Sequence, residues 1–315
     1  MAAIAVVGTG FIGRAWAISH ARAGNRVRLW DQDASAAARA KDFIAAMMPD
    51  LAANDLLNGN HPDAVLDLIH TAKDLEAAVD SVVHVQESTF ERLDVKIAVF
   101  RQLDAATPST AVIASSTSAL LPSAFTADLA GGDRCLVVHP INPPYLIPAV
   151  EVVPAPWTSQ ATMDRTVDLI RAIGQRPIAM KQEINGFVMN RLQGAVLEEA
   201  FRLVADGYAT VEDIDTGLRD GLALRWSFMG PFETIDLNAP AGVRDYVERY
   251  EGIYRDIWPS TQRRIDWNGP VIDEVERDRR SLLPSDQLDD RQAWRDRRLM
   301  ALLAHKRKAD RDIGE

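Results

Sequence analysis

From Ile4 to about Met180, short apolar runs rich in β-branched residues alternate with amphipathic stretches. The runs are Ile4 to Val7, Val27 to Trp30, Ser81 to Val85, Ala111 to Ala114, Arg134 to Val138 and Pro177 to Ala179. Strands separated by helical segments predict an α/β domain built on a doubly wound, mainly parallel sheet. After Asn185-Gly186 the period changes. A helical pattern runs through Leu192, Val196 and Leu203 to Gly207, placed to cap a helix C-terminus, and Thr210-Val211-Glu212-Asp213 resembles a capping box. Little strand signal follows. The stretch from Pro284 mixes Asp and Arg with Leu, Trp and Met, as expected of an exposed helix laid on a neighbour. We therefore expect a Rossmann-type domain over residues 1–183 and an all-helical domain over 184–315, with no internal repeat.

Composition narrows the class. The chain has 315 residues, 47% hydrophobic and 25% charged, ordinary values for a soluble two-domain enzyme. A formal net charge of -10 argues against nucleic acid as a partner. The single cysteine, Cys135, sits in the apolar run Cys135-Leu136-Val137-Val138, which predicts a buried thiol and fits a reducing cytoplasm. No basic segment precedes a long apolar one at the start, and nowhere do about 18 apolar residues run together, so neither export nor membrane insertion is expected. The 6 histidines show no close ligand spacing, and no metal site is expected.

The first strand leads directly into Gly8-Thr9-Gly10-Phe11-Ile12-Gly13 and then a helical stretch from Arg14 to Ala23. Gly8 makes the tight turn, Gly10 lets the backbone approach a pyrophosphate, and Gly13 permits close packing of helix on strand. The phosphates then sit on the helix N-terminus at Phe11 and Ile12. The second strand ends in Asp31, 18 positions after Gly13, where a carboxylate accepts from both ribose hydroxyls. Gln32 and Asp33 follow, with no Arg for a 2′-phosphate, so the expected cofactor is NAD rather than NADP. Glu87 and Glu91, near the expected carboxyl edge of the sheet, are further candidates for cofactor contact, with a solvated carboxylate opening a helix as the alternative.

Polar features also stand where strands or helices end. Ser115-Ser116-Thr117-Ser118 follows one strand, His139 follows Val137-Val138, Glu151 lies 12 residues beyond His139, and Asn190 is early in the helix that opens the second half. Oxidising a secondary alcohol needs a base for the hydroxyl proton, a role that suits a neutral histidine. A carboxylate on its other ring nitrogen fixes the tautomer, and hydroxyl and amide groups from Ser118 and Asn190 hold the substrate oxygen. Taken singly, each has a structural reading: Ser118 as a helix cap, His139 as a satisfied strand-end histidine, Glu151 as a surface acid, Asn190 as a backbone partner.

Together these segments resemble the 3-hydroxyacyl-CoA dehydrogenases. That family's pattern is a Ser-Asn-Thr-Ser-like turn, a His-x-x-Asn-Pro segment, a Glu and an Asn-Arg-Leu helix start. It is matched by Ser115 to Ser118, His139-Pro140-Ile141-Asn142-Pro143, Glu151 and Asn190-Arg191-Leu192. Ser116 departs from the pattern, since the family commonly has Asn there. The resemblance implies catalytic roles for His139, Glu151, Ser118 and Asn190. It extends to the branch of lambda-crystallin and L-gulonate 3-dehydrogenase through Arg225-Trp226-Ser227-Phe228-Met229-Gly230-Pro231-Phe232-Glu233-Thr234 and the tail from Leu283 to Arg297.

By that branch, the expected substrate is a small L-3-hydroxy acid oxidised to the 3-keto acid. Arg225 is the candidate to fork onto its carboxylate, with an ordinary ion pair as the alternative. A 3-hydroxyacyl-CoA thioester or carnitine is the alternative substrate, and a non-catalytic NAD-binding, crystallin-like protein is the alternative class. A lysine-based β-hydroxyacid dehydrogenase places its Lys one helical turn before an Asn. Gly186 to Asn190 offers none, and Lys181 is too far upstream. The apolar helical half, with Trp226, Trp258, Trp267 and Trp294, predicts a homodimer.

Overall fold

The computed structural model describes residues 2–314. It divides into two compact units, one holding the chain up to Met189 together with Arg295–His305, the other Asn190–Trp294 and the chain from Lys306 onward. By packing, the change of unit falls at 189/190, and part of the C-terminal stretch belongs with the first unit.

The first unit is built on eight strands: β1 (Ala3–Val7), β2 (Arg26–Trp30), β3 (Ile69–Thr71), β4 (His84–Glu87), β5 (Val112–Ser115), β6 (Cys135–Pro140), β7 (Ala149–Pro154) and β8 (Arg176–Ala179). Their order is β3-β2-β1-β4-β5-β6-β7-β8, with every neighbour parallel except the antiparallel pair β6 and β7. Helices α1 (Phe11–Ala21), α2 (Ala34–Ala53), α3 (Pro62–Leu66), α4 (Leu75–Val79), α5 (Leu93–Ala106), α6 (Pro122–Thr126) and α7 (Gln160–Ala172) connect the strands. The run of strand order reverses between β1 and β4, the place where open α/β sheets bind ligands.

Alternation explains the two-layered core. Val6, Val112, Ala114, Leu136, Val138, Val150 and Val152 face one cluster with Trp16, Ile18, Ile44 and Leu51. Their strand neighbours Ala5, Val7, Ile113, Cys135, Val137 and Val153 face another with Phe100, Leu103 and Phe125. Cys135 lies on β6 fully buried, and burial pushes its thiol up to about 12. Met300, also fully buried, joins the first cluster, which is why the segment around it belongs to this unit.

Three elements depart from the sequence reading. The expected strand Ser81 to Val85 begins only at His84, because Ser81 takes a left-handed φ of 55° and turns the chain. β3 was not anticipated, since only Ile69 of its three residues is buried. β7 was missed because Glu151 interrupts the run Ala149-Val150-Glu151-Val152-Val153.

The second unit is helical: α8 (Met189–Ala205), α9 (Val211–Thr216), α10 (Ala223–Trp226), α11 (Pro231–Leu237), α12 (Val243–Thr261), α13 (Pro270–Leu282) and α14 (Leu288–Ile313), the first and last of which also contribute residues to the first unit. Gly207 has φ 71° just beyond α8, and Thr210 and Asp213 form a reciprocal capping box at α9. The core of this unit is small, with Val204, Val211 and Val271 buried and Phe201, Ile214, Ile265 and Val275 packed around them.

Two buried histidines of the first unit carry a pH consequence. Burial, with His84 nearby, lowers His20 to about 3, and burial lowers His84 to about 4 against a weaker opposing bond from Gln86. Both are neutral when folded and titrate near 6.5 when unfolded, so between about pH 4 and 6.5 the unfolded chain binds more protons. Stability is full above that window and falls on acidification, by about 1.4 kcal/mol per pH unit for each group. Calorimetric melts of wild type and His20→Met should show a shallower acid slope in the variant, and identical slopes would contradict a neutral buried His20.

Candidate active site

The loop after β1 is shaped by what its glycines exclude. Gly8 has φ 87°, and a Cβ there would stand 2.6 Å from the Ser88 carbonyl. A Cβ on Gly13 would stand 1.9 Å from the Gly8 oxygen, so helix α1 packs this close only with glycine. A Cβ on Gly10 would meet nothing within 4 Å. Gly10 is also the N-cap of α1 and supplies no side-chain cap, which leaves first-turn N–H groups for an anion in the open space beside it. Ile12 packs its side chain on the core, so only its backbone is available here, whereas the Phe11 ring is 68% exposed. At the end of β2, Asp31 accepts from Thr9 through its backbone N–H at 2.7 Å and its hydroxyl at 3.1 Å, and from the Asp33 N–H at 3.1 Å. These bonds hold a half-buried carboxylate beside the glycine loop.

Glu87 needs correction as a candidate cofactor contact. It is the last residue of β4, fully buried, and its two oxygens accept from Lys96 Nζ at 2.8 and 2.9 Å. Thr89 donates to one oxygen and Ser115 Oγ donates to the other at 2.6 Å. No face of the carboxylate is left for a ligand. Losing either partner of such a buried pair costs on the order of 3–5 kcal/mol. Lys96 is therefore a residue that sequence reasoning missed; its signal was a lysine embedded in the apolar stretch Val95 to Val99.

Glu91 is tied to the turn that carries Ser118. One of its oxygens accepts from Thr117 Oγ1 at 2.5 Å, Ser118 N at 2.8 Å and Ala119 N at 3.1 Å. Ser118 itself is exposed at the end of β5, next in the sheet to β6, which carries His139. Ser116, where the family commonly has Asn, is buried and accepts from Trp16 Nε1 and Gln86 Nε2.

His139 and Glu151 are direct cross-strand partners in the antiparallel β6–β7 pair. Their side chains meet at 2.7 Å, Nδ1 to Oε2. Glu151 is fully buried, and its other oxygen accepts from the N–H groups of Val188 at 2.6 Å and Met189 at 2.8 Å. Those donors are delivered by a turn in which Gly186 and Phe187 both take left-handed φ, 78° and 48°. The buried Phe187 ring lies 5.6 Å from the His139 ring. An ionised carboxylate only accepts, so Nδ1 carries the hydrogen and Nε2 the lone pair. Among the described residues Nε2 has no hydrogen-bond partner.

Asn190 and Arg225 belong to the second unit. Asn190 is the second residue of α8, following Met189 in the chain, and with Arg191, Glu198, Arg202, Arg264 and Trp267 it lines a cavity of about 750 Å³. Arg225 ends the first turn of α10 half-buried, and its Nε is buried without a partner among the described residues. No group of three or more His, Cys, Asp or Glu among the described residues has metal-binding geometry, and no helix among them is long and apolar enough to cross a membrane.

The sequence profile described as 3-hydroxyacyl-CoA dehydrogenase, NAD binding domain, matches residues 3–184, and that of the C-terminal domain matches 186–268. The chain belongs to the 3-hydroxyacyl-CoA dehydrogenase family. Lambda-crystallin of Oryctolagus cuniculus is 40% identical over 96% of this chain and 96% of its own length. L-carnitine dehydrogenase of Streptomyces griseus is 42% identical over 76% of this chain and 70% of its own. Among solved structures, an NAD-dependent 5-formyl-3-hydroxy-2-methylpyridine 4-carboxylic acid 5-dehydrogenase superposes with a TM-score of 0.82 at 26% identity, covering 96% of this chain and 97% of that one. The 3-hydroxybutyryl-CoA dehydrogenase of Escherichia coli gives 0.66 at 30% identity, covering 75% of this chain and 49% of that one. As a member of this family of dehydrogenases, the chain binds NAD, and the residues present fit it: the bare Gly10, the uncapped α1 N-terminus and the carboxylate of Asp31 lie along one edge of the sheet.

Proposed function

We propose that this dehydrogenase oxidises the 3-hydroxyl of a small L-3-hydroxy acid, of the L-gulonate kind, to the 3-keto acid, with His139 as general base. The observation that carries the proposal is the His139–Glu151 pair, whose carboxylate is saturated by Val188 and Met189 and so fixes Nε2 as the basic nitrogen. In the reaction Nε2 takes the hydroxyl proton as C3 gives up its hydrogen with the electron pair. Bound NAD supplies the acceptor for that hydride. Glu151 stabilises the imidazolium that forms, and Ser118 and Asn190 hold the substrate oxygen as it changes from hydroxyl to carbonyl. Arg225, whose Nε has no partner among the described residues, receives the carboxylate. The 42% identity with an L-carnitine dehydrogenase, named for a free 3-hydroxy acid, supports a free acid over a CoA thioester.

We place the enzyme in a reducing cytoplasm, in keeping with a single, buried cysteine, and propose that it works as a homodimer through the helical unit. Support for the dimer is the small core of that unit beside Leu224, Phe228, Phe232 and Leu237, each between 64% and 77% exposed. Residue 183 stays our proposed limit of the cofactor-binding module, the helical module following.

NADH formation measured with L-gulonate, 3-hydroxybutyrate, L-carnitine and 3-hydroxybutyryl-CoA should show turnover of a free hydroxy acid and at least about a hundredfold loss in His139→Ala. Turnover of the thioester alone, or of L-carnitine alone, overturns the substrate assignment. A full rate in His139→Ala overturns the base, and no turnover of any substrate favours a non-catalytic crystallin-like role. Sedimentation should give twice 34.7 kDa, and a mass of 34.7 kDa would refute the dimer.

A further inference from the structure

Beside the glycine loop, a hydrogen-bond junction is fully determined by the number of donors and acceptors it contains. Ser116 Oγ lies 3.2 Å from Trp16 Nε1, 2.7 Å from Gln86 Nε2 and 2.9 Å from Ser88 Oγ. The indole nitrogen can only donate, and Trp16 is fully buried, so its N–H requires this acceptor. The Gln86 amide is oriented by the Val138 carbonyl, 3.3 Å from Nε2, because a carbonyl can be met only by the NH2 end. Its Oε1 then faces His84 Nε2 at 3.0 Å, which fits a neutral imidazole protonated on that nitrogen. Both lone pairs of Ser116 Oγ are thereby occupied. Its one proton goes to the remaining neighbour, Ser88 Oγ.

Ser88 is thus an acceptor from Ser116, and its own proton is left over. Among the described residues that proton has no acceptor, and Ser88 is half-buried at the carboxyl end of β4. The residue lies against the dinucleotide loop: its N–H donates to Val7 O at 2.7 Å, and its carbonyl is what a Cβ on Gly8 would strike. This is also the β1–β4 reversal of strand order, where the ligand of such a sheet sits.

We propose that Ser88 is a cofactor-binding residue whose hydroxyl is set as a donor to an oxygen of the dinucleotide, and that Ser116 is the positioning residue that sets it. Trp16 and Gln86 hold Ser116 in the one state that leaves Ser88 free to donate. The assignment concerns the cofactor and holds whichever hydroxy acid is oxidised. It also gives Ser116 a task at a position where the family commonly carries a different residue.

Titration calorimetry of NAD into the purified full chain, without substrate, tests both parts. Ser88→Ala and Ser116→Ala should each weaken NAD by about fivefold, the worth of one neutral hydrogen bond. The double variant should be no weaker than about tenfold, since both changes remove one interaction. Ser88→Thr, which keeps the hydroxyl, should bind within about twofold of wild type. Wild-type affinity in Ser88→Ala overturns the cofactor role, and a double variant weakened by about 25-fold, the product of two independent losses, overturns the positioning role. If Ser116→Ala melts out, Gln86→Leu takes its place as the variant that frees a lone pair on Ser116. The same fivefold loss and the same lack of further loss in the Ser88→Ala background are expected, and wild-type affinity overturns the positioning role.

Discussion

A carboxylate taken wholly out of water must be given its full set of donors, and Glu151 receives three: an imidazole across the sheet and two backbone N–H groups from the turn before α8. Much of the first unit follows from satisfying that one charge. The antiparallel register of β7 against β6 puts the carboxylate opposite His139. The Gly186–Phe187 turn adopts left-handed backbone to bring the N–H groups of Val188 and Met189 to it. Because the charge is fixed in place on both oxygens, the imidazole has one allowed tautomer.

The same principle recurs at the neighbouring strand ends. Glu87 is saturated by Lys96, Thr89 and Ser115, and Ser115 Oγ in turn accepts from the Thr117 N–H at 3.2 Å. Glu91 accepts from Thr117, Ser118 and Ala119 of the same turn. Two carboxylates thus fix the turn bearing Ser118 from either side, while Asp31 does the equivalent for the glycine loop through Thr9. At the cofactor edge, acidic residues at strand ends are thus spent on backbone N–H groups and hydroxyls of the loops.

What the sequence disclosed tracks what is local. The glycine spacing, the apolar runs of β1, β2, β5 and β6 and the capping box at Thr210 are written in contiguous residues, and each is found at its expected place. β7 was hidden because its key residue is a charge whose burial makes sense only beside β6. Glu87 was misplaced because the turn at Ser81 delays β4, so a residue expected beyond the strand falls inside it. Lys96 left a trace as a charge in an apolar stretch, but its pairing with Glu87, 9 residues away across a strand end, and the junction of Trp16 with Ser116, 100 residues apart, depend on the folded sheet. His139 and Glu151 stood out as chemistry, but their register became evident only with the antiparallel pairing.

Through the cross-strand contact Glu151 fixes His139 with its hydrogen on Nδ1 and its lone pair on Nε2. Nitrogen-15 NMR of the histidine-labelled protein, with His139→Gln to assign the signal, reads that state directly at a pH where the ring is neutral. A protonated Nδ1 with a deshielded, hydrogen-bonded proton and an unprotonated Nε2 are expected. A hydrogen on Nε2 in the neutral ring would contradict that assignment.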